Sequence, residues 1–346
     1  VPPTGHVIPP ARYLNSPWSR HAENLSASFY SVNNMDLTPL VFDNTKGFDR
    51  GWEAGGNKLA LCRGVVLERS RFLRNRGNGI WFDIGNTNCA VRQCLIADNE
   101  DAGIFYEISY ALHAHDNVIV GNGFAATAGA WGAQAGISIS SSPGCVIERN
   151  LMAGNREGFN FREQTRSTPT IEDRAGRPVW NHDEVIRHNL IVFNRDAQVW
   201  GWFDIKDDRH WPADRAPVVP EGPDGAATKP GDVAGAYAAR PAQGQPRDLT
   251  LEKLRLRFEN NVYFAGPGHG GFNWGPTWAR HKRYGGLAEF QADLGIDVGG
   301  RELDPHFASW LELDFRLGAE STELLQATYP HGPVPGAKLD LYLDVR

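Results

Sequence analysis

Short aliphatic runs recur along the chain, each interrupted by polar residues in the same order. The order is roughly aliphatic-x-aliphatic-x-x-Asn-x-aliphatic-x-x-Asn, followed by a Gly-aliphatic phrase. Five copies are VVLERSRFLRN, AVRQCLIADN, ALHAHDNVIVGN, VIERNLMAGN and VIRHNLIVFN. A further copy, LRLRFENNVYF, covers residues 254–264. Apolar and polar positions that alternate within such short runs predict β-strands.

The last asparagine of each copy returns at a nearly constant interval. Asn75, Asn99 and Asn122 are 24 and 23 residues apart, and two larger gaps follow, which predict loops inserted around 124–135 and 163–181. A repeat of about two dozen residues with short β runs is typical of a coiled β-solenoid.

Inward-pointing asparagines are expected to stack at the corners of this solenoid. The same corner recurs about every 4.8 Å, the spacing between strands. An Asn side chain at a corner can bond its counterpart in the next rung and satisfy backbone groups of the turn. Asn117, Asn150 and Asn189 are therefore predicted to lie inside one corner, one rung apart.

The rung pattern and the asparagine ladder resemble the right-handed parallel β-helix superfamily of pectate lyases, polygalacturonases and their relatives. The resemblance covers roughly residues 25–204 and 250–265. The phrases GWEAGG, GIWFDI and GIFYEIS also resemble bacterial β-helix repeat proteins. The resemblance implies an all-β, right-handed parallel β-helix of roughly seven or eight rungs. It implies no single activity, because the superfamily includes lyases, hydrolases, epimerases and phage tailspikes.

Two parts of the chain fall outside the rungs. Residues 1–283 are predicted to form the β-helix domain, with a long Pro-, Gly- and Ala-rich loop inserted at about 205–250. Residues 284–346 are predicted to form an irregular C-terminal cap that covers the open sheet edge. One short helix, LAEFQADLG, is expected within this cap.

Composition and charge exclude several partners. The formal net charge is −6 and the sequence pI about 6.0, which argues against nucleic acid and against an anionic membrane surface. No apolar run approaches the roughly 18 residues of a membrane span. The chain begins at Val1, which suggests that an upstream segment has been removed, so we expect a secreted or periplasmic protein.

Gly79-Ile80-Trp81-Phe82-Asp83 is echoed by Gly103-Ile104-Phe105-Tyr106-Glu107. Strand residues alternate between faces, so if Ile80 and Phe82 point inward, Trp81 and Asp83 point outward. Extending this alignment to neighbouring rungs predicts two columns on one outer face. The first column is Lys58, Trp81, Phe105, Ser138 and Asn160, and the second is Ala60, Asp83, Glu107, Ser140 and Arg162.

The outward Trp81 and Phe105 are expected to form an exposed apolar platform for sugar rings, beside two carboxylates on neighbouring strands. Glycoside hydrolysis needs such a pair, a protonated acid and a base or nucleophile. We expect Glu107 to be the general acid, because its neighbours are the more apolar, and Asp83 to be its partner. Solvated surface carboxylates and Ca²⁺ ligation stay open as alternative interpretations of the pair.

The rival mechanism is β-elimination on a uronate polymer, with Lys58 as the better candidate base and Arg162 as a neutralising cation. Other candidate substrate-binding residues are Trp52, Glu53, Tyr110, Ser138 and Asn160. The leading expectation is a glycoside hydrolase acting on a polysaccharide, without a cofactor unless calcium binds. The alternatives are a polysaccharide lyase and a non-catalytic carbohydrate-binding or tailspike-like module. The oligomeric state does not follow from the sequence.

Overall fold

The computed structural model describes residues 41–42, 56–125, 134–164, 166–170, 172, 176–203, 254–274, 282–309, 314–329 and 334–335. Trp52, Glu53 and the loop predicted at about 205–250 lie outside these ranges. No helix within them is long and apolar enough to cross a membrane.

The described strands form three long sheets, and the chain visits sheet III, sheet I and sheet II in turn. Sheet I contains β1 (Val41–Phe42), β4 (Arg71–Leu73), β7 (Leu95–Ala97), β10 (Val118–Val120), β13 (Leu151–Ala153), β18 (Leu190–Val192), β21 (Val262–Phe264) and β24 (Arg301–Glu302). Sheet II contains β2 (Lys58–Leu59), β5 (Ile80–Phe82), β8 (Ile104–Glu107), β11 (Ala135–Ser140), β14 (Glu157–Glu163), β19 (Ala197–Phe203), β22 (Phe272–Trp274) and β23 (Lys282–Tyr284). Sheet III contains β3 (Val66–Glu68), β6 (Ala90–Arg92), β9 (His113–His115), β12 (Val146–Glu148), β17 (Val185–Arg187) and β20 (Arg257–Glu259).

Neighbouring strands of these sheets pair in parallel, except β22 and β23, which are antiparallel. Each β-strand therefore lies directly over its counterpart in the preceding coil, as in Val118 over Leu95 and Leu151 over Val118. This is the architecture of a parallel β-helix, as the sequence repeat predicts.

Each described corner between sheets III and I turns through one residue in the left-handed region, followed by a polar or small residue that points inward. Between sheets III and I the left-handed residues include Gln93, Asp116 and Arg149, with φ of 53°, 56° and 52°. The next residues along the chain are Cys94, Asn117 and Asn150, and all three are buried. A single left-handed residue bends the chain sharply from one sheet to the next, which keeps the turn short.

The predicted asparagine ladder is confirmed at this corner. Asn117 Nδ2 donates to Asn150 Oδ1 over 2.9 Å, and Asn150 Nδ2 donates to Asn189 Oδ1 over 3.1 Å. Asn189 continues the series to Asn261, whose side chain donates to Asp297 Oδ2. All the side-chain amides point the same way, so the last one needs an acceptor, which Asp297 supplies.

Two more ladders occupy the other corners. Between sheets I and II, side-chain amide bonds join the asparagines of successive coils and end on Gln198 Oε1: Asn75, Asn99, Asn122, Asn155 and Asn194. Between sheets II and III the ladder mixes residue types and ends where Asn181 N donates to Glu163 Oε2: Cys62, Asn86, Ser109, Ser142 and Asn181. The sequence pattern does not reveal this third ladder, because no single residue type marks it.

The glycine of each Gly-aliphatic phrase lies next to the first residue of a strand of sheet II, where consecutive coils approach closely. A Cβ on Gly103 would lie 2.6 Å from the carbonyl oxygen of Gly136, closer than real Cβ contacts allow. The recurrence of glycine therefore follows from backbone contact between coils.

Apolar side chains fill the coil interior. Ile80, Ile104, Ile137 and Phe159, which are register partners in sheet II, are fully buried in the main core cluster. Because the same position of each coil is apolar, the core runs continuously along the axis.

An antiparallel hairpin interrupts the coils between sheets II and III. It consists of β15 (Arg166–Thr168) and β16 (Arg177–Val179), in which Arg166 pairs with Val179. It falls within the insertion expected around 163–181.

The C-terminal segment contains more regular structure than the sequence suggests. Its elements are α1 (Leu287–Leu294), β25 (Phe307–Ser309), β26 (Asp314–Leu317) and α2 (Ala319–Thr328). Helix α1 is the one predicted from LAEFQADLG. Its Phe290 stacks on Phe272 of the last coil, with ring centroids 4.7 Å apart. Strand β24 extends sheet I beyond residue 283, so the cap and the β-helix are continuous.

Candidate functional site

The outer face of sheet II carries the two columns predicted from the sequence. Lys58 pairs with Trp81, and Trp81 pairs with Phe105. Phe105 pairs with Ser138, which pairs with Asn160. The predicted first column is therefore confirmed, including the Lys58 rung, whose alignment requires a one-residue gap.

The second column is also present. Glu107 pairs with Ser140, and Ser140 pairs with Arg162. Asp83 follows Phe82, the register partner of Tyr106, so Asp83 lies beside Glu107 on the adjacent strand. The alternation of strand side chains thus brings the two acids together.

The aromatic residues of this face are not exposed, and the prediction of an exposed platform is wrong. Trp81 is 2 % exposed and Phe105 is fully buried. They nevertheless point away from the coil interior, because they form a small cluster with Ala102 that is separate from the main core. Strand alternation predicts the direction of a side chain, whereas its exposure depends on what packs over the sheet.

Trp81 is held between an aromatic ring and a cation. Its ring stacks on Phe105 with centroids 5.4 Å apart and an angle of 28° between the planes. The Lys58 ammonium lies 4.1 Å from the centroid of the Trp81 ring. This distance allows a cation–π interaction, which is stronger away from water.

Lys58 also forms an ion pair with the first acid. Lys58 Nζ is 2.9 Å from Asp83 Oδ2, and both side chains are buried. An opposite charge at this distance stabilises the ionised carboxylate. The ion pair and the cation–π contact both favour the charged form of Lys58.

Glu107 experiences competing charges. Burial raises its pKa above the ordinary value, and the negative charge of Asp83 raises it further. Arg166 and Arg162 act in the opposite direction. Arg166 Nη1 donates to Glu107 Oε1 over 2.8 Å. Because the net direction is upward, Glu107 holds its proton to a higher pH than an ordinary glutamic acid.

The remaining predicted residues occupy different places. Ser138 Oγ is 3.4 Å from Asn160 Oδ1, so these two contact each other within the first column. Tyr110 lies in the turn beyond the end of β8 and lines a cavity to which no residue of the two columns contributes. The structure therefore separates Tyr110 from the acid pair.

Sequence reasoning missed two polar residues at this face. Arg166 belongs to the hairpin, and no repeat places it near Glu107. Glu157 is two residues before the inward Phe159 in the same strand, so the alternation of side chains assigns it to the interior. It instead accepts a 2.7 Å hydrogen bond from Asn160 Nδ2 of the outer face. Burial raises the pKa of Glu157 to about 7.

No group of three or more His, Cys, Asp or Glu side chains within the described ranges could hold a metal ion. Both carboxylates of the acid pair contact cationic side chains, Lys58 and Arg166. Calcium ligation by this pair stays a prediction from the sequence.

Comparison with known proteins gives a family match. The model of the family described as "Right handed beta helix region" matches residues 25–152. No curated protein matches the chain.

Similar solved structures include the periplasmic alginate epimerase AlgG, at 12 % identity and a TM-score of 0.43, covering 78 % of this chain and 47 % of that one. A structure titled "Glycoside hydrolase" has 12 % identity and a TM-score of 0.37, covering 78 % of this chain and 41 % of that one. A complex of XylC with xylose has 13 % identity and a TM-score of 0.34, covering 81 % and 39 %. This chain spans less than half the length of each of these three chains.

The family match agrees with the three parallel sheets and the corner ladders, and with the resemblance drawn from the sequence. The chain is a right-handed parallel β-helix.

Proposed function

We propose that this protein is a carbohydrate-active enzyme that hydrolyses glycosidic bonds of a polysaccharide with Glu107 and Asp83. The main support is that the β-helix register brings two carboxylates side by side on an outer face, where the pKa of Glu107 is raised. Buried ionisable groups with perturbed pKa values, placed outside the main core, are more frequent at functional sites than elsewhere.

The two acids have different environments, and glycoside hydrolysis uses such a difference. Glu107, with its raised pKa, donates a proton to the leaving glycosidic oxygen. Asp83, ionised beside Lys58, acts at the anomeric carbon as the nucleophile, or activates the water that attacks it. One carboxyl group thus keeps its proton while its neighbour is charged.

The stacked aromatic rings lie next to the acids, but they are buried and therefore support the acid pair from within this face. Trp81 and Phe105 precede Asp83 and Glu107 by two residues on the same strands, so they belong to the same outer face. Ser138 and Asn160 extend the first column, where both are buried and Ser138 donates to Asn160.

The contacts of Lys58 favour hydrolysis over β-elimination. An eliminating base must be uncharged, and both the ion pair with Asp83 and the cation–π contact with Trp81 stabilise the ammonium form. Lyase activity is the second candidate, because Arg162 and Arg166 both act on Glu107 and could neutralise a uronate carboxylate beside it.

The substrate must first gain access to this face. Asp83 and Glu107 are 6 % and 3 % exposed. Among the described residues, Arg166 of the hairpin is the group that bonds Glu107 from outside sheet II. In this proposal, substrate binding separates Arg166 from Glu107, which removes one of the contacts that lowers the pKa of Glu107.

The test is to incubate the full chain with neutral and uronate-containing oligosaccharides and to identify the products by mass spectrometry. New reducing ends with addition of water indicate hydrolysis, whereas unsaturated uronate ends indicate elimination. Glu107→Gln should reduce hydrolysis by roughly 10²-fold or more. A substrate with a good leaving group should partly restore the activity of Glu107→Gln, because such a group needs no proton, but not that of Asp83→Asn.

Glu68→Gln is a matched control, since Glu68 lies on the outer face of sheet III and pairs with Arg92. It should hydrolyse the substrates as the unchanged protein does. Full activity of both Glu107→Gln and Asp83→Asn would overturn the assignment, and loss in Lys58→Ala alone with unsaturated products would establish the lyase. Parallel reactions with EDTA or added calcium test the metal dependence.

The proposal includes export of the chain to the periplasm or the medium, where polysaccharides are found, and cell fractionation checks this. A non-catalytic fibre module is the remaining alternative. Saccharide binding without any product, together with a trimer in solution sizing, would favour that alternative.

A further inference from the structure

A cavity of about 450 Å³ lies beyond the ends of the sheet II strands, between the turn after β8 and the β15–β16 hairpin. Its lining includes Tyr110, Thr170, Glu172, Arg177, Trp180 and His182. Its volume is within the range of small-molecule sites, about 300–1,000 Å³.

Aromatic rings form a large part of the cavity wall. Trp180 is partly buried and packs against the main core, which fixes one edge of its ring. The His182 ring is 4.9 Å from the Trp180 ring and tilted by 39°. His182 Nδ1 lies 2.6 Å from Asp183 Oδ2, which holds the imidazole in place. Two neighbouring rings are therefore presented in fixed orientations.

Tyr110 lines the cavity from the turn, and its backbone is held by the coils. Its amide donates to the carbonyl of Asn86 over 2.7 Å, and its carbonyl accepts from the Tyr106 hydroxyl over 2.7 Å. Tyr110 itself is partly exposed. A third aromatic ring thus projects from a rigid part of the β-helix.

Charged and hydroxyl groups complete the lining. Arg177 is exposed and lies near enough to Tyr110 for its charge to act on the phenol. Glu172 forms an ion pair with Arg63, and Thr170 supplies a hydroxyl group. Fixed aromatic rings surrounded by hydrogen-bonding groups suit a ligand with apolar C–H faces and a polar edge, which describes a pyranose ring.

We propose that this cavity is a saccharide-binding pocket that takes a pyranose unit, separate from the columns of sheet II. The choice of a saccharide rests on the proposed function, whereas the pocket itself rests on its own residues. In the hairpin, Arg166 pairs with Val179, and Val179 lies between the pocket residues Pro178 and Trp180. A sugar bound here would therefore contact β16, the strand that pairs with β15 and its Arg166, which bonds Glu107.

The experiment is calorimetric titration of the full chain with neutral gluco- and xylo-oligosaccharides and with uronate oligosaccharides. Arg177→Ala and His182→Ala alter exposed or half-exposed side chains and should fold. Each should weaken binding by about tenfold, the effect of losing one important contact. Trp180→Ala should weaken it more, with circular dichroism checking its fold. Hydrogen exchange should show protection of residues 177–182 in the complex.

Arg301→Ala is the matched control, because Arg301 is an exposed arginine of β24 in sheet I, whereas the hairpin lies between sheets II and III. Its affinity should equal that of the unchanged protein. The pocket is rejected if Arg177→Ala and His182→Ala bind every saccharide as tightly as the control does, or if no saccharide binds at all.

The proposal for the pocket and the proposal for the acid pair can be rejected independently. Saccharide binding that depends on Arg177 and His182, without any hydrolysis, would support the pocket and reject the proposed reaction. Hydrolysis that requires Glu107, with unchanged saccharide binding in the pocket variants, would support the proposed reaction and reject the pocket.

Discussion

Glu157 is a buried carboxyl group whose hydrogen bond with Asn160 does not compensate for its burial. Its pKa is raised from the ordinary 4.5 to about 7, with burial as the largest cause. A group with a raised pKa in the folded state stabilises the fold below its unfolded pKa, and this contribution is lost as pH rises through the folded pKa.

We therefore expect Glu157 to destabilise the protein increasingly between about pH 4.5 and 7. The difference in pKa corresponds to about 3 kcal/mol, at 1.36 kcal/mol per pH unit. Glu157→Gln should abolish this part of the pH dependence in urea unfolding measured across that range. Glu323→Gln, an exposed position of α2, serves as the control and should follow the unchanged protein. Identical pH profiles for Glu157→Gln and the control would contradict the expectation.

The burial of Trp81 changes what its removal should do. An exposed platform residue would contribute to binding and little to stability, but Trp81 packs on Phe105 and beneath Lys58. Trp81→Ala should lower the free energy of unfolding by roughly 3–5 kcal/mol, as for other buried aromatic residues. Trp81→Phe, which keeps a ring between Phe105 and Lys58, should lose less. Chemical denaturation measures the stability of both variants. An unchanged stability of Trp81→Ala would contradict its burial and support an exposed position instead.

At the residue scale the sequence predicts which side chains share a face, but not what covers them. The period of two along a strand is a local property, and it placed Asp83 beside Glu107 and Trp81 beside Phe105 correctly. Arg166 reaches Glu107 from a position 59 residues away, and that contact depends on the path of the hairpin. Glu157 was missed because its position at the beginning of β14 does not follow the alternation.

The ladders are the elements that the sequence predicts best, because the same side chain is required at each coil. Asn150 shows the requirement most fully. Its Oδ1 accepts from both the backbone and the side chain of Asn117, and its Nδ2 donates to Asn189 Oδ1 and to the carbonyl of Ala114. The third ladder escaped detection because cysteine, serine and asparagine share its positions.

Asn150→Leu should destabilise the protein on the order of 1–3 kcal/mol for each buried group that loses its partner. The amide of Asn117 and the carbonyl of Ala114 are two such groups. Thermal and urea unfolding measure the loss.

Asn150→Asp is the informative comparison. The aspartate keeps an oxygen that accepts from Asn117. Its second oxygen replaces the Nδ2 donor and therefore faces two other acceptors, Asn189 Oδ1 and the carbonyl of Ala114. Protonation supplies one donor, so its stability should recover partly at acidic pH, whereas that of Asn150→Leu should not. Equal stability of Asn150→Leu and the unchanged protein would mean that the ladder contributes nothing.

At the scale of the whole molecule, the strands of each described coil pair with those of the adjacent coils, so the ends need separate protection. The C-terminal end is covered by α1, whose Phe290 is fully buried against Phe272, Trp274 and Tyr284. The sequence predicted the helix and its capping position, but not β24 or the hairpin β25–β26. Those strands are short and outside the repeat, so no periodicity marks them.

Phe290→Ala should remove the main apolar contact between the cap and the last coil. Large-to-small substitution of a buried phenylalanine costs roughly 3–5 kcal/mol. In a solenoid this loss is felt first by the neighbouring coils, because stability is a sum of local interfaces. Hydrogen exchange should therefore accelerate in α1, β21 and β22, and remain unchanged in β5 and β8. Val298→Ala is the control, since Val298 belongs to the same cap and is 78 % exposed. Uniform acceleration along all coils would show instead that the β-helix unfolds as one cooperative unit.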